Sequence, residues 1–277
     1  MDERVEHISA DGILRGVSRT TEPMVLRGAA EARSHHEEFE LYWFLEGKLW
    51  FAFEGERIEV HDGDMIIIAN RQMHRPMVKS GCRYVRKRLL FGDALFETAD
   101  AGGVLLKQRL TGDRIWRFSA DEVLKTGLGA MADEVLDQLA KQTPLGDFAA
   151  RIATLRLLLT AAQHTDAPPT AHGNEAGEMI RYIEQHLTDN LQYRTMARAF
   201  YLSEQNLYRV FKRETGFTLA KYIKERRIIR AKHILAQGGS AAEAATGSGF
   251  AEYSAFYRTF VRETGMTPSQ FVKGNRA

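Results

Sequence analysis

The sequence predicts an α+β protein of two domains, a β-barrel with attached helices followed by an all-α domain. Three observations support this fold class. Short apolar runs lie in the first third of the chain. Turns separate them every 8–12 residues or so, which is roughly the spacing of strands in a sandwich or barrel. Residues 165–174 contain two consecutive prolines, which cannot continue a helix. Beyond them, helical segments contain one short motif twice, which indicates a repeated structural unit.

The predicted strands are apolar runs bounded by glycine-containing turns. They cover residues 41–45, 49–53, 58–60 and 65–69. Two helices are predicted after them, one near residues 121–140 and one near residues 145–163. The second helix has apolar residues at steps of three and four, which predicts a single apolar stripe. This stripe consists of Ile152, Leu155, Leu158 and Leu159.

The composition is that of an ordinary globular protein, with 44% apolar and 27% charged residues in 277. The single cysteine, Cys82, excludes an intramolecular disulfide and fits a reducing compartment. The sequence contains neither a signal-peptide pattern nor an apolar stretch long enough for a membrane span. We therefore expect a cytoplasmic protein with no membrane partner.

The charge is distributed unevenly between the two halves. Residues 174–277 contain 16 Lys and Arg against 10 Asp and Glu, whereas the rest of the chain contains 22 against 26. A basic C-terminal part next to an acidic N-terminal part indicates a polyanionic partner at one end.

The C-terminal region contains an internal repeat. Arg213-Glu-Thr-Gly216 recurs as Arg262-Glu-Thr-Gly265, 49 residues further on. At the same displacement Arg209 corresponds to Arg258, and Phe211 to Phe260. A repeat at a fixed period indicates one supersecondary unit used twice.

Each copy has the sequence pattern of a helix-turn-helix. In the first copy a short helix at residues 193–200 precedes Ser203, a good N-cap, and a second helix at residues 204–215. In the second copy the two helices are predicted at residues 241–246 and 252–264. The second helix of such a unit enters the major groove, so its polar face would contact DNA. The predicted DNA-contacting residues are Gln205, Tyr208, Arg209, Lys212, Arg213, Tyr253, Ser254, Tyr257, Arg258 and Arg262.

A long helix rich in Lys and Arg is predicted between the two copies, at residues 219–236. At about 1.5 Å per residue it spans roughly 27 Å. It could therefore hold the two recognition helices about 34–36 Å apart, one turn of DNA. A single chain would then read two successive major grooves.

Residues 178–271 resemble the DNA-binding domain of the AraC/XylS family. The matching positions are Ala197, Ser203, Leu207, Arg209, Phe211, Lys212, Gly216, Tyr222, Arg227, Ile228, Ala231, Leu235, Ala245, Gly249, Phe250, Phe256, Arg258, Phe260, Gly265, Thr267, Pro268 and Phe271. The sequence departs from the family at Ala244, Val261 and Val272. The last two remove cations that would contact phosphates, so the second half-site is expected to bind more weakly.

The N-terminal domain resembles the cupin-type barrel found in many such regulators. The resemblance rests on His36, Glu40, Gly47, Gly63-Asp64 and His74. Ser34 stands where metal-binding cupins have another histidine, and Ala69 and Arg71 also depart from the pattern. His36, Glu40 and His74 are therefore weak candidates for metal ligands. The alternatives are the polar lining of an effector pocket and hydrogen-bonded structural residues. The predicted effector-pocket residues are His36, Glu40, Tyr42, His74 and Arg88, with Trp43 as a further candidate.

Together these patterns predict a sequence-specific DNA-binding transcription regulator, controlled by a small metabolite such as a sugar, with no enzymatic activity and no cofactor. The predicted domains are residues 1–165, which bind the effector and dimerise, a linker at 166–176 and a DNA-binding domain at 177–277.

The resemblance further implies an activator, a homodimer formed through helix 145–163, and RNA polymerase as a candidate partner. That helix has a second interpretation, packing against its own barrel. The alternative functions are a metal-dependent cupin enzyme fused to a DNA-binding domain, and an architectural DNA protein without an effector.

Overall fold

The computed structural model describes residues 3–21, 38–53, 56–70, 72–78, 82–97, 100–113, 115–165 and 175–274. The chain divides into two compact units, the first formed mainly by residues up to 171 and the second by residues from 172 onward. In the described ranges, no helix combines the length and the apolarity that a membrane crossing requires. The two units correspond to the β-rich and all-α parts predicted from the sequence.

The N-terminal unit contains two β-sheets. Its strands are β1 (Glu3–Ile8), β2 (Leu14–Thr21), β3 (Phe39–Glu46), β4 (Leu49–Phe53), β5 (Glu56–Val60), β6 (Met65–Ile68), β7 (His74–Val78), β8 (Tyr84–Phe91) and β9 (Ile115–Phe118). One sheet has the strand order β1-β2-β8-β3-β6-β9 and the other the order β5-β4-β7. The predicted fold class is confirmed. In the described residues the strands pair as a two-sheet sandwich rather than as a closed barrel.

Strand β3 shows how the sheets divide the core. Successive side chains of a strand point to opposite faces. Phe39 and Leu41 belong to an apolar cluster between the large sheet and the helices. Tyr42 and Phe44 belong to a second cluster between the two sheets, which includes Phe51 of β4. Tyr42 and Phe44 therefore point into the interior of the sandwich, as does Glu40 on the same face.

The N-terminal helices are α1 (Ala94–Glu97), α2 (Asp100–Asp113), α3 (Ala120–Thr126), α4 (Leu128–Ala140) and α5 (Pro144–His164). The single helix predicted at residues 121–140 is wrong, because Gly127 separates α3 from α4 with φ +73°. A left-handed residue ends one helix, and glycine adopts this conformation without steric cost. The predicted helix at residues 145–163 is confirmed as α5.

The prediction of one continuous apolar stripe on α5 is wrong. Leu158 is fully buried, together with small residues of the same face such as Ala150 and Ala153. Ile152 and Leu159 are both 53% exposed. The buried side of α5 combines small and large apolar residues in the core of the N-terminal unit. Ile152 and Leu159 lie on the opposite, exposed side, so α5 is apolar on two sides.

The C-terminal unit is helical. Its helices are α6 (Glu175–Gln185), α7 (Tyr193–Ala199), α8 (Glu204–Thr215), α9 (Leu219–Ala236), α10 (Ala241–Gly247), α11 (Tyr253–Thr264) and α12 (Pro268–Gly274). The five helices predicted for the repeat and its connector are confirmed to within one residue at each end. Helix α6 begins inside the predicted linker, the rest of which lies outside the described residues. The domain bounds stay a prediction.

Candidate DNA-binding surface and effector pocket

Helix α8 is the second helix of the first helix-turn-helix unit, the one predicted to enter the major groove. The Ser203 hydroxyl accepts a hydrogen bond from the backbone N–H of Asn206, which satisfies one of the free donors at the helix start. Gly216 ends the helix in the left-handed conformation, with φ +73°. Leu207 and Phe211 are buried against the rest of the unit. The opposite face of α8 is consequently left to solvent.

Helix α11 occupies the same place in the second unit. Phe256 and Phe260 are fully buried in a cluster with residues of α9 and α10. Gly265 ends the helix with φ +73°, as Gly216 ends α8. The repeated Arg-Glu-Thr-Gly segment therefore marks the same structural feature twice, a recognition helix that ends at a left-handed glycine.

The predicted DNA-contacting residues all lie on the exposed faces of these two helices. Tyr208 is 44% exposed, Tyr253 49% and Tyr257 39%. Arg209 and Arg258 are also exposed, and Arg209 donates a hydrogen bond of 2.8 Å to the Asn206 side chain. The exposed set also includes Gln205, Lys212, Arg213, Ser254 and Arg262. Their contact with DNA stays a prediction.

The cations of the connector α9 bind other parts of the same unit. Arg226 forms a salt bridge of 2.6 Å with Glu184 of α6. Lys224 lies 2.8 Å from Glu263 of α11. Arg230 donates a hydrogen bond of 2.6 Å to the carbonyl oxygen of Gly247, the last residue of α10. These three cations of α9 therefore stabilise the placement of the helices around it.

Arg227 links the two helix-turn-helix units at one point. Its guanidinium donates hydrogen bonds of 3.0 Å and 2.8 Å to the carbonyl oxygens of Leu187 and Asp189, which precede α7. It also lies 6.0 Å from the ring of Phe250, in the turn before α11. A Cβ atom on Gly249 would lie 2.4 Å from the Leu187 carbonyl oxygen. The turn of the second unit thus meets the segment that leads into the first unit, backbone to backbone.

Four of the five predicted effector-pocket residues meet in the sandwich interior. His74 Nε2 lies 3.0 Å from Glu40 Oε2, and Arg88 Nε lies 3.0 Å from Glu40 Oε1. Arg88 also donates a hydrogen bond of 3.0 Å to the Tyr42 hydroxyl. Burial, and then the nearby charge of Glu40, raises the pKa of Tyr42, so the phenol stays neutral near pH 7. The fifth residue, His36, lies outside the described residues.

Trp43 does not belong to this cluster. Its ring faces the helices, where a Cβ on Gly129 of α4 would lie 2.7 Å from Trp43 Cζ2. The prediction of Trp43 as a pocket residue is therefore wrong, because it is next to Tyr42 on β3 and points to the other face.

The donor set around Glu40 fits a hydrogen-bonded cluster better than a metal site. His74 Nδ1 lies 2.9 Å from the carbonyl oxygen of Gln72, so both ring nitrogens face oxygen atoms. A metal ligand needs a free lone pair on one nitrogen. Within the described residues, no group of three or more His, Cys, Asp or Glu side chains could hold a metal ion.

A pocket of about 780 Å³ opens at the rim of the sandwich, close to this interior. Its lining includes Leu49, Trp50, Arg57, His61 and Val78. Sequence analysis did not identify this pocket, because it forms where the start of β4 meets the ends of β5 and β7. It also missed the buried Arg86, although Tyr84, Arg86 and Arg88 alternate along β8 and a period of two signals one face.

Comparison with known families agrees with this arrangement. The model of the AraC-like ligand binding domain matches residues 27–159, and a helix-turn-helix domain model matches residues 196–274. The HTH-type transcriptional activator RhaS of Klebsiella pneumoniae is 24% identical over 237 residues, covering 82% of each chain. RhaS of Enterobacter sp. is 24% identical over 75% of this chain and 74% of the relative.

Solved structures show similarity to the whole chain and to its C-terminal part. ToxT from Vibrio cholerae covers 99% of this chain and 98% of its own, with 12% identity and a TM-score of 0.39. The DNA-binding domain of AdpA, solved with a target DNA, covers 38% of this chain and 95% of its own, with 24% identity and a TM-score of 0.36. From the two family models and the relatives, the chain belongs to the AraC family of DNA-binding transcription regulators, with an N-terminal AraC-like ligand-binding domain.

Proposed function

We propose that this regulator reads two successive major grooves with α8 and α11, and that a small metabolite in the N-terminal unit controls this binding. The observation that carries the proposal is the pair of exposed faces, each with an arginine at the matching position, Arg209 and Arg258. Arginine contacting guanine is the commonest specific contact in the major groove. The rigid 18-residue connector α9 supports a fixed spacing between the two faces.

A binding titration tests the DNA-contacting role of these faces. A duplex selected by the purified chain from a random pool is titrated against a scrambled duplex of equal length. We expect Arg209→Ala combined with Arg258→Ala to remove the preference for the selected duplex. Arg181→Ala, which removes an exposed cation of α6, is the control that keeps it. Equal binding of both duplexes by the unmodified chain would contradict the proposal.

We infer that the effector is bound by the N-terminal unit near the cluster of Glu40, Tyr42, His74 and Arg88, and that a sugar is one class to examine. Apolar walls with a few convergent polar groups are typical of metabolite sites. A thermal-shift screen of sugars and small acids against the full chain, followed by operator titration with each hit, tests this role. A metabolite that raises the Tm must also change operator affinity.

The proposed mechanism uses binding alone, without a metal cofactor or a catalytic step. Glu40 and His74 contact each other, and Glu40 also contacts Arg88, so both side chains already have partners. Metal analysis of the purified chain tests this point. Stoichiometric metal that is lost in His74→Ala would favour the metal-dependent enzyme instead.

We propose a homodimer formed through the outer side of α5. Leu145, Phe148, Ile152 and Leu159 are between 53% and 76% exposed and recur at steps of three, four and seven residues. Such a stripe is the seam of a helix pair, and a second copy of α5 presents the same stripe. Ile152→Glu should give monomers in analytical ultracentrifugation, whereas Ala130→Glu, on the exposed side of α4, should not.

As the RhaS relatives are activators by name, we further propose that this regulator activates transcription, with RNA polymerase as its partner, in the cytoplasm where the bacterial chromosome lies. A reporter gene placed behind the selected duplex measures the direction of control. Lower reporter output in cells that contain the protein than in cells without it would overturn the activator assignment.

A further inference from the structure

Among the residues that the structure describes, the interior of the sandwich contains more arginine than carboxylate. Arg86 and Arg88 alternate on β8, and Arg19 of β2 is the direct cross-strand neighbour of Arg86. Side chains at directly paired positions point to the same face, and like charges there repel each other. Glu40, which faces the same interior from β3, is engaged by Arg88 and His74.

Arg86 is the cation of this group without a carboxylate. It is 8% exposed, and the described residues place no Asp or Glu oxygen within 4.0 Å of it. Its Nε has no hydrogen-bond partner, and its guanidinium stacks on the Tyr84 ring at 4.5 Å. A buried charge without a counterion destabilises a protein strongly, so natural proteins pair it.

The surroundings of Arg86 are aromatic and lie next to an opening. Phe44 is its cross-strand neighbour on β3, and the rings of Phe44 and Tyr84 stack at 6.5 Å. Leu49 and Val78, which line the 780 Å³ pocket, pack against the same aromatic cluster. Leu49 and Val78 therefore connect the lining of that pocket to the aromatic cluster around Arg86.

We propose that the effector of this regulator is a small organic carboxylate whose anionic group pairs with Arg86, with its apolar part against Phe44 and Tyr84. This inference rests on the proposed metabolite control and specifies its ligand class. Arginine and carboxylate form strong charge-assisted hydrogen bonds, and the aromatic walls exclude water from the pair. A neutral sugar would leave the charge of Arg86 uncompensated.

Two matched pairs of probes test the charge requirement on the full chain at constant ionic strength. Benzoate is compared with benzamide, and gluconate with sorbitol. We expect at least one carboxylate to raise the Tm of the N-terminal unit by about 3 °C at saturation, with no shift from its neutral partner. An equal shift from both members of a pair, or no shift from either carboxylate, would overturn the proposal.

The variant Arg86→Met gives an independent readout. It keeps an unbranched chain of similar length and removes the charge, so we expect it to raise the Tm of the ligand-free chain and to abolish the carboxylate shift. Arg83→Met, which removes an exposed arginine paired with Glu46 at 2.6 Å, is the control that keeps the shift. A lower Tm for ligand-free Arg86→Met, or a carboxylate shift that persists in it, would contradict the assignment.

Operator titration separates this inference from the proposed function. If sorbitol changes operator affinity and neither carboxylate does, metabolite control stands and the anionic class is wrong. If the carboxylates raise the Tm through Arg86 and leave operator affinity unchanged, the anion site stands and metabolite control through it is wrong.

Discussion

The two helix-turn-helix units repeat the same residues, yet each caps a different one of its two helices. In the first unit Ser203 caps the recognition helix α8, and Gln192 leaves α7 without a side-chain cap. In the second unit Ser240 and Glu243 form a full capping box on α10, and Glu252 leaves α11 without one. The same fold is thus stabilised at opposite helices, and the first recognition helix has the firmer start.

The turns differ as well. Helices α7 and α10 begin 48 residues apart, at Tyr193 and Ala241, whereas α8 and α11 begin 49 residues apart. The second turn is therefore one residue longer. Its left-handed residue is Gly249, at φ +86°, whereas the first turn places Tyr201 in that conformation, at φ +55°. Glycine is required only where the backbone of the first unit comes close.

The largest expected effect comes from filling that close approach. In Gly249→Ala the new Cβ would lie 2.4 Å from the Leu187 carbonyl oxygen and 2.8 Å from Thr188 Cα, both backbone atoms that cannot rotate away. We expect a loss of about 3 kcal/mol in unfolding free energy, from overpacking added to the left-handed strain. Chemical denaturation of the full chain, followed by hydrogen exchange of the amides in the C-terminal unit, measures it.

Gly265→Ala is the matched control, because Gly265 has φ +73° and a Cβ added there would meet no atom within 4 Å. It should cost only the strain of about 1 kcal/mol. Equal losses of unfolding free energy in the two variants would show that the close contact of Gly249 with Leu187 contributes nothing to stability.

The next effect concerns DNA affinity and compares the two recognition helices. On the selected duplex we expect Arg209→Ala to lose about 2 kcal/mol of binding free energy, roughly thirty-fold in Kd, and Arg258→Ala to lose less. The physical reason is that α11 has Val261 where α8 has Lys212, and its first turn is uncapped. Fluorescence anisotropy at fixed salt measures both losses. A greater loss from Arg258→Ala would reverse the assignment of the stronger half-site.

Sequence reasoning was most accurate in the C-terminal unit, for a local reason. Helix limits there are set by residues within a turn of each end, such as Ser203 and Gly216, and these can be recognised directly. The role of the α9 cations could not be recognised from the sequence, because Arg227 binds carbonyl oxygens about 40 residues earlier in the chain. A charge pattern alone cannot distinguish a DNA contact from such an internal one.

The N-terminal unit shows the same limit more strongly. The convergence of Glu40, Tyr42 and Arg88 could be predicted, since alternation along strands and a motif spacing are visible in the sequence. That Arg86 has no carboxylate beside it among the described residues depends on which strands are neighbours, and β8 lies between β2 and β3. This order joins segments far apart in the chain, so the excess of arginine on one face emerges only in the folded structure.

Exchanging the caps tests the difference between the two helix-turn-helix units with a smaller effect. Ser203→Ala removes the acceptor for the Asn206 N–H and should destabilise the start of α8 by about 1 kcal/mol. Glu252→Ser supplies the missing cap of α11 and should stabilise its start by a similar or smaller amount. Hydrogen-exchange mass spectrometry of the full chain measures the two helix starts separately. We expect exchange about five-fold faster at the start of α8 in Ser203→Ala, and up to about five-fold slower at the start of α11 in Glu252→Ser. Changes confined to the other helix of either unit would contradict this account.

The smallest effect concerns Tyr201, which is 97% exposed and the only residue of its turn at positive φ among those described. The variant Tyr201→Gly relieves the left-handed strain without loss of packing. We expect its unfolding free energy to rise by about 0.5 kcal/mol, after the greater freedom of glycine in the unfolded chain is subtracted. Tyr201→Ala removes the ring and keeps the strain, so it should leave stability unchanged. Denaturation of the full chain gives the gain, and anisotropy on the selected duplex gives the second readout. If both variants weaken DNA binding alike, the strained conformation positions the tyrosine ring against the duplex, and the first turn then differs from the second because it contacts DNA.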